Sequence, residues 1–545
     1  MFDKIRHKRF TVKKDFQLKL SFESDNNEKI LLEIIDLSLM GMQTKSEMDK
    51  NTSINTLSET DILQSSEIVV LDNESSERLV VPIGRITVTR NEGDIFGFKT
   101  IDIKIPLDTT LSRYINIFNE SAWQTELNPD KFSIKNFKED LDSSQDILER
   151  TAKFNVLFNE WIKKPQYQYY TVRNSSKGTK ISIKAKKKKV LVMGSNDYLN
   201  LSCHPEVIEA GKHAISTYGS GSTGSPLTTG ITEIHEQLSE FLAKLLRKEK
   251  VILFNSGYSA NLGAIQGLTN PHDLVTADII SHASIQDAMK LSNAKFRFFP
   301  HNSVESLEYK LSKDRDKFQG SLVVTEAIFS MDGDSPPLEE IIKVSKKYDS
   351  RIYLDEAHSI GVLGESGGGL VEELSCHDNV DIIMGTFSKS FGSIGGFIAS
   401  SKNVCNYLYW LARSHMFSVS MTPASAASVL KAGEIFTGNP EIIQKLRRNI
   451  KQVVEGLRDL GAPLSPHHKS TVVPFVVGDI KVLGKMNEYL MDHGVFVVPI
   501  IYPAVSIKKS RFRITVNAGL SESDIDYVLL CFKHAMKEAD FGFNK

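Results

Sequence analysis

The sequence predicts a protein in two parts, a small antiparallel β domain followed by an α/β domain on a mostly parallel sheet. Three observations carry this. The first hundred residues hold short β-branched runs between polar turns, the pattern of an antiparallel sheet or barrel. Beyond Val190, buried-strand runs alternate with helix-length segments, the pattern of a parallel sheet covered by helices on both faces. Between them the chain turns polar and charged from about Ser121 to Ser144. A length of 545 residues also exceeds one ordinary domain of roughly 100–200 residues.

In chain order, the front strands are expected around Phe16 to Phe22, from Lys29 (KILLEIIDLS), and at SSEIVVLD, RLVVPIGRITVTR and IFGFKTIDI. After Pro106, Leu111, Tyr114, Ile115 and Phe118 fall at the spacing of a helix stripe that closes a domain over residues 1–120. Residues 121–146 read as a linker, and residues 147–545 as the large domain. There the strands are expected at VILFNS, LVTADII, FRFFP, SLVVTEA, RIYLDEA, DIIMGTFS and GGFIAS. The lysine run Lys184–Lys189 reads first as a solvated hairpin tip and second as a surface for anions.

Composition narrows the function. Lys and Arg number 66 against 67 Asp and Glu, so the net charge of -1 gives no broad field for a nucleic-acid polymer. The four cysteines Cys203, Cys376, Cys405 and Cys531 are scattered, with neither disulfide-framework nor zinc spacing, and no metal is expected. The basic N-terminus leads into no apolar run, and no stretch of about 18 apolar residues occurs, so neither a signal peptide nor a membrane span is expected. A cytoplasmic protein is the expectation.

Four segments carry candidate chemistry. In GTFSKSFGSIGGF (Gly385–Phe397) an amine, Lys389, follows a buried strand beside Ser388 and Ser390, suited to reach a bound aldehyde while hydroxyls and N–H groups hold a phosphate. A glycine- and serine-rich loop with a surface lysine reads equally well from these residues. In YLDEAHSIGVLG, Asp355 ends a strand where parallel sheets place ligands, able to pair with a pyridine nitrogen or simply to cap a helix, and His358 follows. In FNSGYSANLGA, Gly257 and Tyr258 open a helix where backbone approaches a phosphate. In ISHASIQDA, His282 could lie on an aromatic cofactor or serve as a hydrogen-bonded structural histidine.

Together, and in this order, these segments resemble the α-oxoamine synthases, pyridoxal-phosphate enzymes with the fold-type-I aminotransferase architecture. The resemblance spans about Ile147 to Met536 and extends to NDYLNLSCHP (Asn196–Pro205), YGSGSTGSPLTTG (Tyr218–Gly230), VVTEAIFSMDGDSPPL (Val323–Leu338), MFSVSMTP (Met416–Pro423) and YPAVSIKKSRFRITVNA (Tyr502–Ala518). It implies a mostly parallel central sheet with a smaller C-terminal α+β subdomain, a pyridoxal 5'-phosphate cofactor and a homodimer. Lys389 would bind the cofactor and move protons. Asp355 would hold the ring nitrogen, His358 the ring oxygen, and His282 would stack on the ring. Gly257, Tyr258, Thr386 and Ser388 would surround the phosphate, with Ser330 near the ring and Ser418 reaching the neighbouring subunit's site. Arg513 and Asn196 would receive the amino-acid carboxylate.

The implied reaction is decarboxylative condensation of a small amino acid with an acyl-CoA or acyl-carrier-protein thioester, giving an α-amino ketone. The lysine-loop wording is most like serine palmitoyltransferases, with serine, alanine or glycine as the amino acid. An 8-amino-7-oxononanoate synthase or a signal-molecule synthase is the alternative. The sequence departs from the family at Pro226, where an Arg is common, and at Leu520, where a His is common, both in regions expected to touch the acyl or acid end.

The front domain resembles a PilZ domain: Asp36, Ser38 and Gly41 fit D-x-S-x-x-G, while Arg6 and Arg9 stand three apart instead of four. This implies a cyclic di-GMP site, set against a structural or partner-docking β-barrel. The rival to an enzyme is a catalytically silent homologue acting as a cyclic di-GMP-responsive scaffold.

Overall fold

The computed structural model describes seven strands between Phe10 and Asp102, scattered residues between 148 and 169, and the chain from 171 to 543 apart from 184–188 and 503. The chain divides into two compact units, Met1–Trp161 and Ile162–Lys545. In the first unit the strands are β1 (Phe10–Thr11), β2 (Phe16–Glu23), β3 (Lys29–Ser38), β4 (Gly41–Lys45), β5 (Ile62–Asp72), β6 (Arg78–Glu92) and β7 (Ile95–Asp102). Their order is β1-β3-β2-β5-β6-β7-β4, and β4 also pairs with β3, so the antiparallel pairing runs back on itself. The helix stripe expected at 107–120, the linker at 121–146, and both Arg6 and Arg9 lie outside the described residues.

The second unit opens with β8 (Arg173–Lys177), β9 (Lys180–Ile183) and β10 (Lys189–Val192). β9 and β10 pair antiparallel on either side of the lysine run, of which 184–188 lie outside the described residues. Seven strands then form the central sheet: β11 (Lys250–Phe254), β12 (Asp273–Asp278), β13 (Lys295–Phe299), β14 (Gly320–Glu326), β15 (Arg351–Asp355), β16 (Ile382–Thr386) and β17 (Gly396–Ser400). Their order is β11-β17-β16-β15-β14-β12-β13, with only β17 antiparallel to its neighbours. Continuous apolar runs suit this sheet because helices cover both faces: all five residues of β16 are buried. β13 departs from the expected buried strand. As an edge strand it buries only Phe299, while Lys295 is exposed.

A smaller sheet follows the central one in sequence, after the helix Glu441–Asp459. β18 (Val472–Val476), β20 (Val498–Ile500) and β21 (Arg511–Thr515) pair antiparallel in the order β18-β21-β20, while β19 (Val495–Phe496) lies parallel to β10. The last helix, Glu522–Glu538, starts at a reciprocal cap in which Ser521 and Asp524 satisfy each other's backbone N–H. Phe475, Phe512 and Phe532 form the aromatic centre of this subdomain. No helix among the described residues is long and apolar enough to cross a membrane.

Both departures from the family pattern prove to be interior. Leu520 is fully buried in the core, and its carbonyl accepts from Asn449 Nδ2 at 3.2 Å. Pro226 is buried, and its carbonyl accepts from the Tyr409 hydroxyl at 2.6 Å. Leu520 thus fills apolar volume in the core, and Pro226 is tucked against Tyr409.

Candidate active site

The candidate residues gather at the carboxyl ends of the parallel strands, where an open α/β sheet places its ligands. Two residues after β11, Ser256 caps the helix Gly257–Leu268, its Oγ accepting from Ser259 N at 3.0 Å. Gly257 and Tyr258 thus present the first N–H groups of a helix, which lack carbonyls four residues earlier. A Cβ on Gly257 would stand 3.0 Å from both Cβ and Oγ1 of Thr386, so only glycine lets the helix start come this close to β16. Thr386 Oγ1 donates to Gly395 O at 2.9 Å and lies 3.0 Å from Ser388 Oγ. Tyr258 is exposed, its hydroxyl donating to Asp287 and its ring edge-on to His282 at 6.4 Å.

Asp355 is buried at the last position of β15. Its Oδ1 accepts from Ala357 N at 2.9 Å and its Oδ2 from Asn261 Nδ2 at 2.8 Å. Directly across in register, Glu326 ends β14 and accepts from the backbone N–H of His282. Burial and the neighbouring Asp355 push the Glu326 carboxyl well above the usual range. His282 caps the helix Ala283–Leu291 and exposes its ring.

His358 is buried and held neutral by desolvation, with Lys389 and Arg513 pressing the same way. Its Nδ1 lies 2.6 Å from the Tyr198 hydroxyl, which burial keeps protonated. Lys389 follows β16, and burial lowers its ammonium to about 8, with Arg513 helping and Asp355 and Glu326 opposing.

Arg513, in the middle of β21, donates through Nε to Ser330 O at 2.6 Å and through one terminal nitrogen to Asn196 Oδ1 at 3.0 Å. The loop carrying Ser330 is pinned twice more. Arg511, almost fully buried, pairs with Asp332 at 2.8 Å, and His301 bridges Asp278 (3.1 Å) and Asp334 (2.9 Å). Ser418 Oγ accepts from Asn255 Nδ2 at 2.8 Å between the exposed Phe417 and Val419. In the other unit, Asp36 and Ser38 lie on β3, and Ser38 is the register partner of Gly41 at the head of β4.

Sequence reasoning missed Glu326, Asn261, Tyr353, Ser284 and Tyr198, all of them buried. The available signal was a polar residue on an otherwise apolar helix: Asn261 stands among Ala260, Ala264 and Ile265.

The donor set fits pyridoxal phosphate. Lys389 is an amine of lowered pKa, Asp355 keeps acceptor capacity for a ring N–H, and His358 is a buried imidazole whose Nδ1 meets Tyr198. The helix start at Gly257 with the Thr386 and Ser388 hydroxyls forms a cradle for an anion.

Comparison with known proteins gives the same direction. The class I and II aminotransferase family profile matches residues 188–530. Serine palmitoyltransferase of Sphingobacterium spiritivorum is 39% identical over 398 residues, covering 72% of this chain and 98% of that protein. The 8-amino-7-oxononanoate synthase of Alkaliphilus metalliredigens is 36% identical over 353 residues, covering 65% and 89%. A solved serine palmitoyltransferase with pyridoxal phosphate as its internal aldimine superposes with a TM-score of 0.69 at 30% identity, covering 73% of this chain and 100% of that one.

Proposed function

The chain belongs to the α-oxoamine synthases of the class I and II aminotransferase family, as a pyridoxal-phosphate-dependent C-acyltransferase, and from that premise we propose that it condenses serine with a long-chain acyl thioester. Alanine and glycine are the other amino acids considered. In the balanced reaction the amino acid loses its carboxylate as CO2, its α-carbon gains the acyl group, and the carrier leaves as free thiol.

The observation that supports this most is Arg513, whose guanidinium is fixed by Asn196 and Ser330 and stands close enough to Lys389 to lower its pKa. A fixed fork is suited to a carboxylate, and its field favours the neutral amine beside it. Bound pyridoxal phosphate supplies the electron sink for charge developing at the amino acid's α-carbon. Lys389 would take and return the proton at that carbon, a task matched to a pKa near working pH. Asp355 would hold the ring nitrogen protonated, and His358 would hydrogen-bond the ring oxygen. His282 would lie against the ring face, and Gly257, Tyr258, Thr386 and Ser388 would seat the phosphate.

Active sites of this family are commonly shared between two subunits. Exposed Phe417 and Val419 beside Ser418, with Tyr407, Trp410 and Leu411 exposed on the preceding helix, support a second copy here. The medium-chain reading is kept because an 8-amino-7-oxononanoate synthase is nearly as similar as a serine palmitoyltransferase. For the first unit, partner docking is the leading reading. Cyclic di-GMP binding in a PilZ-like domain is the second, favoured by the pairing of Ser38 on β3 with Gly41 on β4 and tested by calorimetry on the full chain.

The deciding experiment on the synthase screens serine, alanine and glycine for a shift in the protein's visible absorbance, then follows thiol release with an acyl-CoA series. A serine-dependent shift and release rising with chain length are expected. Absence of any amino-acid-dependent shift overturns the proposal.

A further inference from the structure

We propose that Asn261 is a positioning residue that orients Asp355 and His282 together, and that the hydrogen-bond chain through it fixes His282 as the tautomer with its proton on Nε2. The chain has four members inside the protein: Tyr353, Asn261 and Ser284 are each essentially fully buried, and Asp355 nearly so. Tyr353 and Asp355 sit two apart on β15, so both side chains leave the same face of the sheet. Helix Gly257–Leu268 packs there and brings Asn261 against both.

Polarity along the chain is determined at each link. The Tyr353 hydroxyl, kept protonated by burial, donates to Asn261 Oδ1 at 2.7 Å. That fixes the amide's orientation, because turning it over would place Oδ1 against the Asp355 carboxylate and Nδ2 against a donor. Asn261 Nδ2 then spends its two protons on Asp355 Oδ2 at 2.8 Å and Ser284 Oγ at 2.9 Å. With its oxygen already accepting, Ser284 has its own proton to give, and His282 Nδ1 lies 2.7 Å away. The backbone N–H of Ser284 also points to the same Nδ1 at 3.3 Å. Two donors converging on Nδ1 require it to be unprotonated, and a neutral imidazole must then carry its proton on Nε2.

His282 thereby becomes a hydrogen-bond donor at its far nitrogen, and the proton it offers is set by a residue that touches neither substrate nor cofactor. Asp355, anchored by the same amide and by Ala357 N, is held in place by a partner that reports on His282. The two groups that would meet the ring are thus tied by one buried side chain.

This inference uses the proposed reaction only to say what the positioned groups serve, and its main test is independent of turnover. Full-length protein with nitrogen-15-labelled histidine is examined by two-bond proton–nitrogen correlation at about pH 8, where a neutral imidazole is expected, given an ordinary value of about 6.5. The His282 signal is assigned by its loss in His282→Gln. Nε2 is expected to be the protonated nitrogen, and Ser284→Ala is expected to give mixed tautomers. A proton on Nδ1, or an unchanged single tautomer in Ser284→Ala, overturns the proposal. Tyr353→Phe keeps shape and fold while freeing the amide to turn, and is expected to raise the pyridoxal phosphate dissociation constant by about tenfold. An unchanged constant in this variant also overturns it. Should the tautomer hold while no amino acid shifts the visible spectrum, the positioning chain stands and the proposed reaction falls.

Discussion

The two poles of the cleft are built on different sheets. Asp355, Glu326 and Thr386 end strands of the seven-stranded sheet and Lys389 follows one, so their backbone is continuous with buried strands. Arg513 sits mid-strand in the three-stranded C-terminal sheet and reaches its partners Asn196 and Ser330 elsewhere in the chain. The first pole is rigid by construction, whereas the second depends on polar bonds between separate elements. Cofactor hold and amino-acid hold should therefore be separable by mutation.

The largest effect expected tests the first pole. Lys389→Ala should remove both turnover and the visible band that borohydride reduces; a retained reducible band would show that another lysine holds the cofactor. Asp355→Asn should keep cofactor while lowering turnover by about a hundredfold or more, since an amide no longer favours a protonated ring nitrogen. Near-normal rates in that variant would move the ring-nitrogen role elsewhere.

Arg513→Ala tests the second pole. A bidentate charge-assisted contact is worth about 1.5–3 kcal/mol, so the amino-acid dissociation constant should rise by roughly tenfold to a hundredfold while cofactor affinity stays put. Parallel loss of both affinities, measured by spectral titration, would break the separation of poles.

The smallest effect concerns the clamp between them. Burial alone would lower the His301 pKa, but the hydrogen bonds that the ring donates to the Asp278 and Asp334 carboxylates outweigh it and raise it to about 10. A pKa raised on folding stabilises fully below the ordinary value of about 6.5, and that contribution is lost as pH rises through about 10. His301→Ala should cost about 1–2 kcal/mol at pH 6 and progressively less on the alkaline side, read from denaturant curves of both proteins across pH.

Much of this was legible in the sequence. All seven central strands announce themselves as apolar runs, and Lys389, Asp355 and His358 stand beside the ends of such runs. Direction was not legible: GGFIAS looks like its parallel neighbours, because antiparallel pairing is decided by the connection and not by the residues of the strand. Side-chain facing was not legible either: nothing in the residues around Leu520 says that its side chain lies in the core. Tyr353 and Asn261 went unread for the opposite reason, since a single polar atom inside an apolar run gives no hint of its partner in another element.

The antiparallel course of β17 has a consequence for chain length. Lys389 lies within residues 387–395, which join two adjacent strands and are bonded to themselves at Phe387 N to Gly395 O and Ser393 N to Phe387 O. Both ends of this span are tied to one another by the Thr386–Gly396 register pair. A single inserted residue adds up to about 3.5 Å of chain with nowhere to go but outward. This span has a fixed tally, and a frame-preserving insertion anywhere within it should displace Lys389 from the groups that face it.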